Sequence, residues 1–375
     1  MTLPGVRIQT PTREAWQAIW SGCDYATFFQ GPDWAELWRR FSGGKIQSVP
    51  EQITFADGRS AILPLCFESK LQGLLSRYVA SPQGTFGGWI ASEPLDLAQA
   101  GWLLDHLLDN RTASVVWRMN PYDSQAFEVG MRRGITCRKD ETHALRLDAG
   151  ANALLDRFKN GYRSDIRKAT KHGRISVDIA TTLDEWRAYY RVYLETLGRW
   201  GHRPDEGYSW KLFETLAGLE SPHVKLWLGR YDGAIVSGEL CLYAKRHVVS
   251  WHAATLKDYL RSHVAKVQIF RVIEDACRSG HAWFDFNPSA GLGGVKVFKE
   301  SFNAEPLPAP VVYVDSAIKR IVRRVATSLS VPYAQLSLIP LVEALGGAEA
   351  PRGGNAPRVL QPSTKGSFKA ETSAE

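Results

Sequence analysis

The chain has 375 residues, of which 44% are hydrophobic and 11% aromatic, and it carries a formal net charge of +7 with an isoelectric point near 9.1. A folded chain of this length exceeds the usual size of one hydrophobic core, which predicts two domains and argues against extensive disorder. The charge indicates an anionic partner, such as a nucleotide-bearing donor, a tRNA, a nucleotide sugar or an anionic membrane surface, and the sequence lacks the helix-turn-helix or zinc-finger spacing of sequence-specific DNA-binding proteins.

The first half of the sequence alternates helical and strand patterns. Residues 29–41 place large apolar side chains at helical spacing around Pro32, which suits a helix start. An Asp-Gly step at residues 57–58 separates two strand patterns and predicts a β-hairpin. The remaining predicted elements of this compact α/β unit are helices at 95–108 and 124–133 and strands at 47–55, 60–67, 113–119 and 143–147.

The second half repeats this α/β arrangement without obvious sequence identity. It opens with a long helical pattern over residues 151–171. Further helices are predicted at 184–197, 210–219, 264–278 and 295–302, and strands at 224–231, 234–243, 248–254, 283–286 and 311–314. We therefore predict an α/β (α+β) fold with two tandem domains of mixed sheets flanked by helices.

The predicted domain boundaries are 1–148 and 149–331. Residues 332–375 are rich in small and polar residues and are predicted to form a disordered tail. Before it, residues 318–325 form a basic amphipathic pattern, which suits either a membrane or nucleic-acid contact or a domain-closing helix with a solvated face.

Three segments of the second unit resemble one family of acyltransferases. They are YRSDIRKA at residues 162–169, WFDF at 283–286 and VFKESF at 297–302, and a weaker match reaches the first unit through FQGPDW at 29–34. Their order and intervals resemble the FemAB-like and BioF2-like (CelD-type) acetyltransferases of the GNAT superfamily. The resemblance implies two GNAT-like domains, of which the second holds the donor and the first shapes the acceptor cleft.

The resemblance also implies an activity and its partners. We expect an N-acyltransferase without a tightly bound cofactor, which uses acyl-CoA or aminoacyl-tRNA as donor substrate. The acceptor would be an amine of a cell-envelope or polysaccharide precursor. The alternative is a non-catalytic GNAT-fold binding module in envelope or exopolysaccharide biosynthesis.

A candidate base lies in the predicted hairpin of residues 234–254. A turn centred on Lys245-Arg246 places Glu239 opposite His252 on one sheet face. Such a pair can remove the proton that an ammonium must lose before it attacks an acyl group. A buried polar pair or an exposed strand face is the alternative.

Two further catalytic candidates follow that hairpin. Asp285 ends an apolar strand, where it can orient the amine or His252, or simply cap the next turn. Lys299 belongs to the family's Phe-Lys-x-x-Phe signature and is expected to project away from the apolar helix face. There it either stabilises a developing oxyanion or donor phosphate, or is a plain surface lysine.

Donor contacts are expected from the second unit. Arg163 and Arg167 belong to a cationic stripe that repeats every four residues and suits phosphates, or forms a solvated face. Ser262 precedes a helix whose free N–H groups can receive a pyrophosphate, or it caps that helix. Phe298 joins this set through the family signature, although its spacing also suits the core.

The sequence also bears on location and metal use. No run approaches the ~20 apolar residues that span a bilayer, and the first 30 residues lack the segments of a cleaved signal. The five cysteines are widely separated without a Cys-x-x-Cys pair, and no His/Cys cluster has metal-ligand spacing. We expect a cytoplasmic protein with reduced thiols and no metal, with the inner membrane face as a further location through residues 318–325.

Overall fold

The computed structural model describes residues 3–70, 75–109, 111, 113–199, 201, 207–289 and 293–316. The predicted tail and the basic segment at 318–325 lie outside these residues. The described part has the predicted α/β architecture, with mixed sheets flanked by helices.

The first unit contains four helices and ten strands within the described residues. The helices are α1 (Arg13–Gly22), α2 (Pro32–Phe41), α3 (Leu97–Asp109) and α4 (Ser124–Arg133). The strands are β1 (Arg7–Gln9), β2 (Ile46–Ser48), β3 (Glu51–Thr54), β4 (Ser60–Leu63), β5 (Cys66–Lys70), β6 (Leu75–Val79), β7 (Phe86–Gly87), β8 (Ile90–Ala91), β9 (Ser114–Met119) and β10 (Cys137–Arg138).

The second unit follows with six helices and eight strands in the described residues. The helices are α5 (Ala151–Arg157), α6 (Asn160–Lys171), α7 (Leu183–Arg199), α8 (Trp210–Ala217), α9 (Val264–Arg278) and α10 (Gly293–Glu300). The strands are β11 (Glu141–Arg146), β12 (Ile175–Ile179), β13 (Val224–Tyr231), β14 (Ala234–Tyr243), β15 (His247–Thr255), β16 (Trp283–Asp285), β17 (Glu305–Pro308) and β18 (Val311–Val314).

Local chemistry explains several boundaries. Pro32 occupies the first turn of α2, where its missing N–H costs no hydrogen bond. The Asp123 side chain accepts from the Ala126 amide at the start of α4, and Gly134 ends that helix in the left-handed conformation. The predicted hairpin forms between β3 and β4, where Gly58 has a φ of 90°.

The prediction of one continuous helix over residues 151–171 is wrong, because the structure has two helices there, α5 and α6. Phe158 at the break adopts extended backbone angles. Its ring is buried and contacts Phe270 and Phe302 edge-on. The free energy gained by burying this aromatic ring exceeds that of the helical hydrogen bonds lost at the break.

Three sheets organise these elements. One has the strand order β1-β3-β4-β8, and a second has the order β10-β18-β9-β6-β5-β2, with β7 also pairing with β9. The third has the order β12-β13-β14-β15-β16-β11-β17. Helix α9 covers one face of the third sheet, and α7 and α8 pack on the other.

The units exchange strands across the predicted boundary. β11 precedes that boundary in sequence, yet it pairs with β16 and β17 in the third sheet. β18 comes from the far end of the chain and lies between β9 and β10 of the first unit. One hydrophobic cluster also contains residues of both units, including Trp34, Trp38, Tyr189 and Phe213.

Candidate active site

The third sheet opens between two parallel strands. β15 and β16 pair over three residues, from His247 opposite Trp283 to Val249 opposite Asp285. β16 then ends, whereas β15 continues to Thr255. Within the described residues, the edge of β15 from Ser250 onward therefore has no partner strand on this side. The Thr255 carbonyl accepts from Thr196 and Arg199, and the edge before it offers backbone groups to a ligand.

A β-bulge lies at this opening. Cys241 pairs with Ser250 as predicted, but Leu240 pairs with His252, so Trp251 is an extra residue. The predicted pairing of Glu239 with His252 is therefore wrong, because Glu239 lies opposite Ala253. An inserted residue moves each following side chain to the other face of the strand.

Glu239 and His252 consequently face different layers. Glu239 lies opposite Trp227 and shares its face with Cys241, in the cluster beneath α9. His252 shares its face with Leu240, beneath α7 and α8. The two side chains cannot form the predicted acid-base pair.

Glu239 is a buried carboxyl group beside the opening. It is 2% exposed, and its Oε1 atom has no hydrogen-bond partner among the described residues. Burial raises its pKa to about 7, although a hydrogen bond from the Ser250 side chain acts to lower the pKa. Both protonation states are therefore populated near neutral pH.

His252 is held by a tyrosine from α7. The Tyr189 hydroxyl lies 2.6 Å from Nδ1 of His252. The imidazole ring lies 4.6 Å from the Tyr193 ring and 5.5 Å from the Phe213 ring, measured between centroids. Burial lowers the pKa of His252 to about 4, so the imidazole is neutral at pH 7.

Aromatic side chains from both units surround the bulge. The Trp251 ring lies 5.2 Å from Trp34 and 6.5 Å from Trp38, which belong to α2 of the first unit. It also lies 5.5 Å from Tyr208. Trp251, Tyr208 and His252 are only partly buried, so this cluster, which joins the two units, reaches the surface of the protein.

Asp285 is fully buried where the two units meet. Its carboxylate accepts hydrogen bonds from the Tyr122 hydroxyl at 2.6 Å, the Thr142 hydroxyl at 2.5 Å and the Asn287 amide at 2.6 Å. Burial raises its pKa, and these hydrogen bonds oppose the rise. The Asn287 contact is the turn cap that was the alternative role for Asp285, and the Tyr122 contact joins it to the first unit.

Lys299 is buried, which rules out the alternative of a plain surface lysine. It is 4% exposed and donates a hydrogen bond to the Asn287 carbonyl. Burial lowers its pKa to about 8, against the attraction of Asp285 and Asp140. Its neighbour Phe298 packs on Tyr162 and Phe302, at 6.0 and 5.3 Å between ring centroids.

Three of the predicted donor contacts have partners within the protein. Arg163 donates to the Asp156 carbonyl, and Arg167 forms a 2.7 Å ion pair with the Asp156 carboxylate. Helix α9 begins after His263, which has a φ of 64°, so Ser262 is not its N-cap. The Ser262 hydroxyl donates to the Tyr259 carbonyl and, at 3.4 Å, accepts from the Val264 amide at the start of α9.

Sequence reasoning missed several residues of this region. Tyr189, Tyr208 and Trp251 were not predicted, because aromatic residues at helical or strand spacing usually indicate core. His143 was also missed: it is fully buried, and neither ring nitrogen has a hydrogen-bond partner among the described residues. Only its position in a strand otherwise rich in apolar residues distinguishes it in the sequence.

Comparisons with known proteins agree with this geometry. Residues 156–300 match the family model described as an acetyltransferase (GNAT) domain. The solved structure of FemX superposes with a TM-score of 0.67 at 13% identity, covering 84% of this chain and 99% of FemX. The chain has no match among curated protein sequences.

Two further solved structures share the fold. The C-terminal domain of a putative lysylphosphatidylglycerol synthetase from Agrobacterium fabrum gives a TM-score of 0.52 at 13% identity, covering 84% of this chain and 96% of that domain. L-PGS from Bacillus licheniformis gives 0.53 at 14% identity, covering 82% and 93%. The predicted resemblance to FemAB-like GNAT proteins is confirmed at the level of the fold and of the matched GNAT domain.

None of the helices in the described residues has the length and apolar character needed to cross a bilayer. The described residues also contain no group of three or more His, Cys, Asp or Glu residues placed to hold a metal ion.

Proposed function

We propose that this protein is an N-acyltransferase that moves an acyl or aminoacyl group onto an amine of a cell-envelope or polysaccharide precursor. The observation that carries the proposal is the opening between β15 and β16, which falls inside the segment that matches the GNAT domain. A free strand edge beside a buried titratable carboxyl group supplies what an acyl-transfer site needs: backbone donors for a carbonyl group and a base for an amine.

Glu239 is the proposed base. An ammonium group must lose a proton before its nitrogen attacks the acyl carbonyl, and a carboxylate whose pKa is about 7 can accept that proton at neutral pH. The nitrogen then forms its bond to the acyl carbon. The bond to the leaving thiol or hydroxyl breaks, and the leaving group takes up a proton.

Asp285 and Lys299 are proposed to organise the loop that follows β16. Lys299 holds the Asn287 carbonyl while Asp285 holds the Asn287 amide, so both sides of this residue are fixed. Asn287 has a φ of 60°, a conformation that needs such support in a non-glycine residue. The loop borders the opening, so its position affects the bound donor.

The donor is proposed to be a CoA thioester or a charged tRNA. Arg163, Arg167, Ser262 and Phe298 remain the proposed contacts to it. Arg167 is exposed on α6 and Arg163 is partly buried there. The ion pair of Arg167 with Asp156 lies in water, where a phosphate can compete for the arginine. FemX and the two synthetase structures support a role at the cell envelope through their fold, and we propose a cytoplasmic location at the inner membrane face.

The experiment that tests the proposal is mass spectrometry of reaction mixtures. The purified protein is incubated with acyl-CoA pools and, separately, with charged tRNA, in the presence of amino-sugar and peptide acceptors. Glu239→Gln has nearly the same shape and cannot accept the proton, so we expect transfer to fall at least a hundredfold. Glu274→Gln on α9, a partly buried acid that pairs with the exposed Arg271, is the matched control.

A second candidate function is a non-catalytic binding module that retains the GNAT fold. The separation of Glu239 and His252 onto opposite sheet faces favours it, because the paired base expected of an enzyme is missing. Under this alternative the protein binds a glycolipid or nucleotide, and neither donor class yields a transferred group. Calorimetric binding without any mass change in the acceptor would support the module over the enzyme.

A further inference from the structure

We propose that His252 is a neutral hydrogen-bond donor, which presents its Nε2–H group to the carbonyl oxygen of the transferred acyl group. This inference rests on the proposed function and assigns His252 a role different from the predicted base. It also identifies Tyr189 as the residue that positions the imidazole.

The tautomer of His252 follows from the hydrogen bonding of Tyr189. A buried hydroxyl needs an acceptor for its proton, and among the described residues the only partner of the Tyr189 hydroxyl is Nδ1 of His252, at 2.6 Å. Burial raises the pKa of Tyr189 well above its ordinary value, so the hydroxyl keeps its proton. Nδ1 must then accept, and in a neutral imidazole the proton lies on Nε2.

Tyr189 is held in place by close packing. It is fully buried, and its ring lies against Gly238, where a Cβ atom would approach ring carbons to 2.1 Å. Gly238 therefore creates the space that the ring occupies. With the ring fixed against β14, the hydroxyl is fixed against the neighbouring strand β15, and the His252 ring is oriented with it.

The surroundings of His252 favour the neutral form over the cation. The nearest rings are those of Tyr193, Phe213 and Tyr208, and no carboxylate among the described residues lies within ion-pair distance of the imidazole. Glu239, the acidic residue of the neighbouring strand β14, faces the opposite side of the sheet. A neutral ring in such a setting cannot serve as a phosphate-binding cation.

Nε2 has no hydrogen bond to the described residues, and the ring is only partly buried. The neighbouring residue is the bulged Trp251, which marks where the edge of β15 becomes free of β16. The His252 ring therefore lies on the strand whose edge is open, partly exposed beside the Trp251 and Tyr208 rings. A group that accepts hydrogen bonds, flanked by apolar surface, fits this position.

The acyl carbonyl is such a group, and its demand for a donor grows during the reaction. When the amine nitrogen forms its bond to the acyl carbon, the π electrons of the C=O bond move to oxygen. The oxygen stays negative until the bond to the leaving thiol or hydroxyl breaks and the carbonyl reforms. A neutral N–H donor stabilises this charge without giving up its proton, as in other sites that bind oxyanions.

Two measurements test the inference. The first is the 15N NMR spectrum of the imidazole in the full chain labelled at histidine, assigned with His252→Gln, which distinguishes protonation at Nε2 from protonation at Nδ1. We expect Nε2–H in the wild type and a mixture of tautomers in Tyr189→Phe. An Nδ1–H ring in the wild type overturns the inference.

The second measurement is the rate of acyl transfer by variants of His252. Glutamine places an amide N–H near the position of Nε2, so His252→Gln should retain activity within about tenfold, whereas His252→Ala should lose about a hundredfold or more in kcat. His281→Gln, a histidine that contacts the Ala276 carbonyl on the far side of the unit, is the control. Equal losses for glutamine and alanine overturn the donor role in an active enzyme.

The outcomes also separate this inference from the proposed function. If the wild type transfers no group from any donor, the proposed function fails and the inference falls with it. If the wild type is active but the ring carries its proton on Nδ1, or glutamine is as poor as alanine, only the inference fails.

Discussion

A buried lysine is costly to keep, and the surroundings of Lys299 show what offsets the cost. Its ammonium group is 4% exposed and donates to the Asn287 carbonyl, with Asp285 and Asp140 near enough to favour the charged form. Burial nevertheless dominates, since the pKa falls to about 8. The Phe-Lys-x-x-Phe pattern thus places a lysine inside the protein, where it secures a loop.

Lys299→Ala should therefore lower stability as well as activity. The substitution leaves a cavity and a buried carbonyl without its donor, which costs roughly 2 to 4 kcal/mol of unfolding free energy. Lys296→Ala on the same helix removes an exposed ion pair with Glu141 and should cost no more than about 0.5 kcal/mol. Urea unfolding of the three proteins measures the difference, and equal stabilities for wild type and Lys299→Ala would contradict it.

The carboxylate of Glu51 anchors a second polar network, in the first unit. It accepts from Arg111 at 2.5 and 2.8 Å and from His106 at 2.8 Å. Burial alone would raise its pKa, but these hydrogen bonds outweigh it and lower the pKa to about 2. Arg111 also lies over the Tyr78 ring, so the network joins α3 to β3 and β6.

Glu51→Gln should lower stability in a pH-dependent way. The folded pKa lies below the ordinary value of 4.5, so the carboxylate stabilises the fold fully above pH 4.5 and loses this effect as the pH falls towards 2. We expect a deficit of about 2 to 3 kcal/mol at pH 7, since one pKa unit corresponds to ~1.4 kcal/mol. Urea unfolding from pH 7 to 3 should show the deficit shrinking; a constant deficit would contradict the assignment. Glu128→Gln, at an exposed pair, is the control.

At the scale of elements, periodicity predicted the helices and strands that have a regular apolar pattern and missed those too short to have one. α4, β13, β14 and α9 have the predicted bounds, because each has a clear alternation or an amphipathic face bounded by caps or turns. The turn at Lys245-Arg246 also gave the correct pairing of Tyr243 with Val248. Short edge strands such as β1 and β10 were missed, since three residues or fewer carry no period.

The candidate site was harder to predict than the fold. The bulge depends on how Trp251 packs against Trp34 and Trp38, which are more than 200 residues away in sequence and belong to the other unit. No local pattern encodes such a contact. One unpredicted extra residue then put Glu239 and His252 on opposite faces of the sheet. The proximity of Asp285 and Lys299 was likewise not predicted from the sequence.

Gly238→Ala tests how strand β14 positions the site. A methyl group would overlap the Tyr189 ring, so the ring must shift and the hydroxyl must leave Nδ1 of His252. We expect a loss of about 1 to 3 kcal/mol in unfolding free energy, typical of overpacking. The 15N spectrum of His252 should change as well, because its partner has moved.

Gly198→Ala on α7 is the matched control for that change. A Cβ atom at Gly198 meets nothing within 4 Å, and its φ is not in the left-handed region. Alanine in a helix should therefore raise stability by up to about 1 kcal/mol and leave the His252 spectrum unchanged. If Gly238→Ala also left stability and spectrum unchanged, the close contact with Tyr189 would be refuted.

At the scale of the whole molecule, exchanged strands couple the two units. β11 completes the third sheet although it precedes the predicted boundary in sequence, and β18 lies between β9 and β10 of the first unit. The hydrogen bond from Tyr122 to Asp285 adds a polar link between the units. The predicted boundary between residues 148 and 149 therefore divides the sequence, but strands from each side of it join sheets on the other side.

Val312→Ala tests this coupling from the far end of the chain. Val312 is 2% exposed, pairs with Trp117 of β9 and Cys137 of β10, and belongs to the core of the first unit. Removing two methyl groups from a packed core costs roughly 1 to 3 kcal/mol. Because β11 and β18 tie each sheet to the other half of the chain, this loss should lower the stability of both units rather than that of the first alone.

Native-state hydrogen exchange, followed by mass spectrometry of peptides, measures the stability of each unit separately. The slowest amides of β9 in the first unit and of β14 in the second should lose protection by the same free energy in Val312→Ala, because both exchange through one global unfolding event. Thr54→Ala on β3, partly buried at the periphery of the first unit, is a control that should produce a smaller and equally shared change. A loss confined to β9, with β14 unchanged, would show that the second unit unfolds independently despite the strand that it receives.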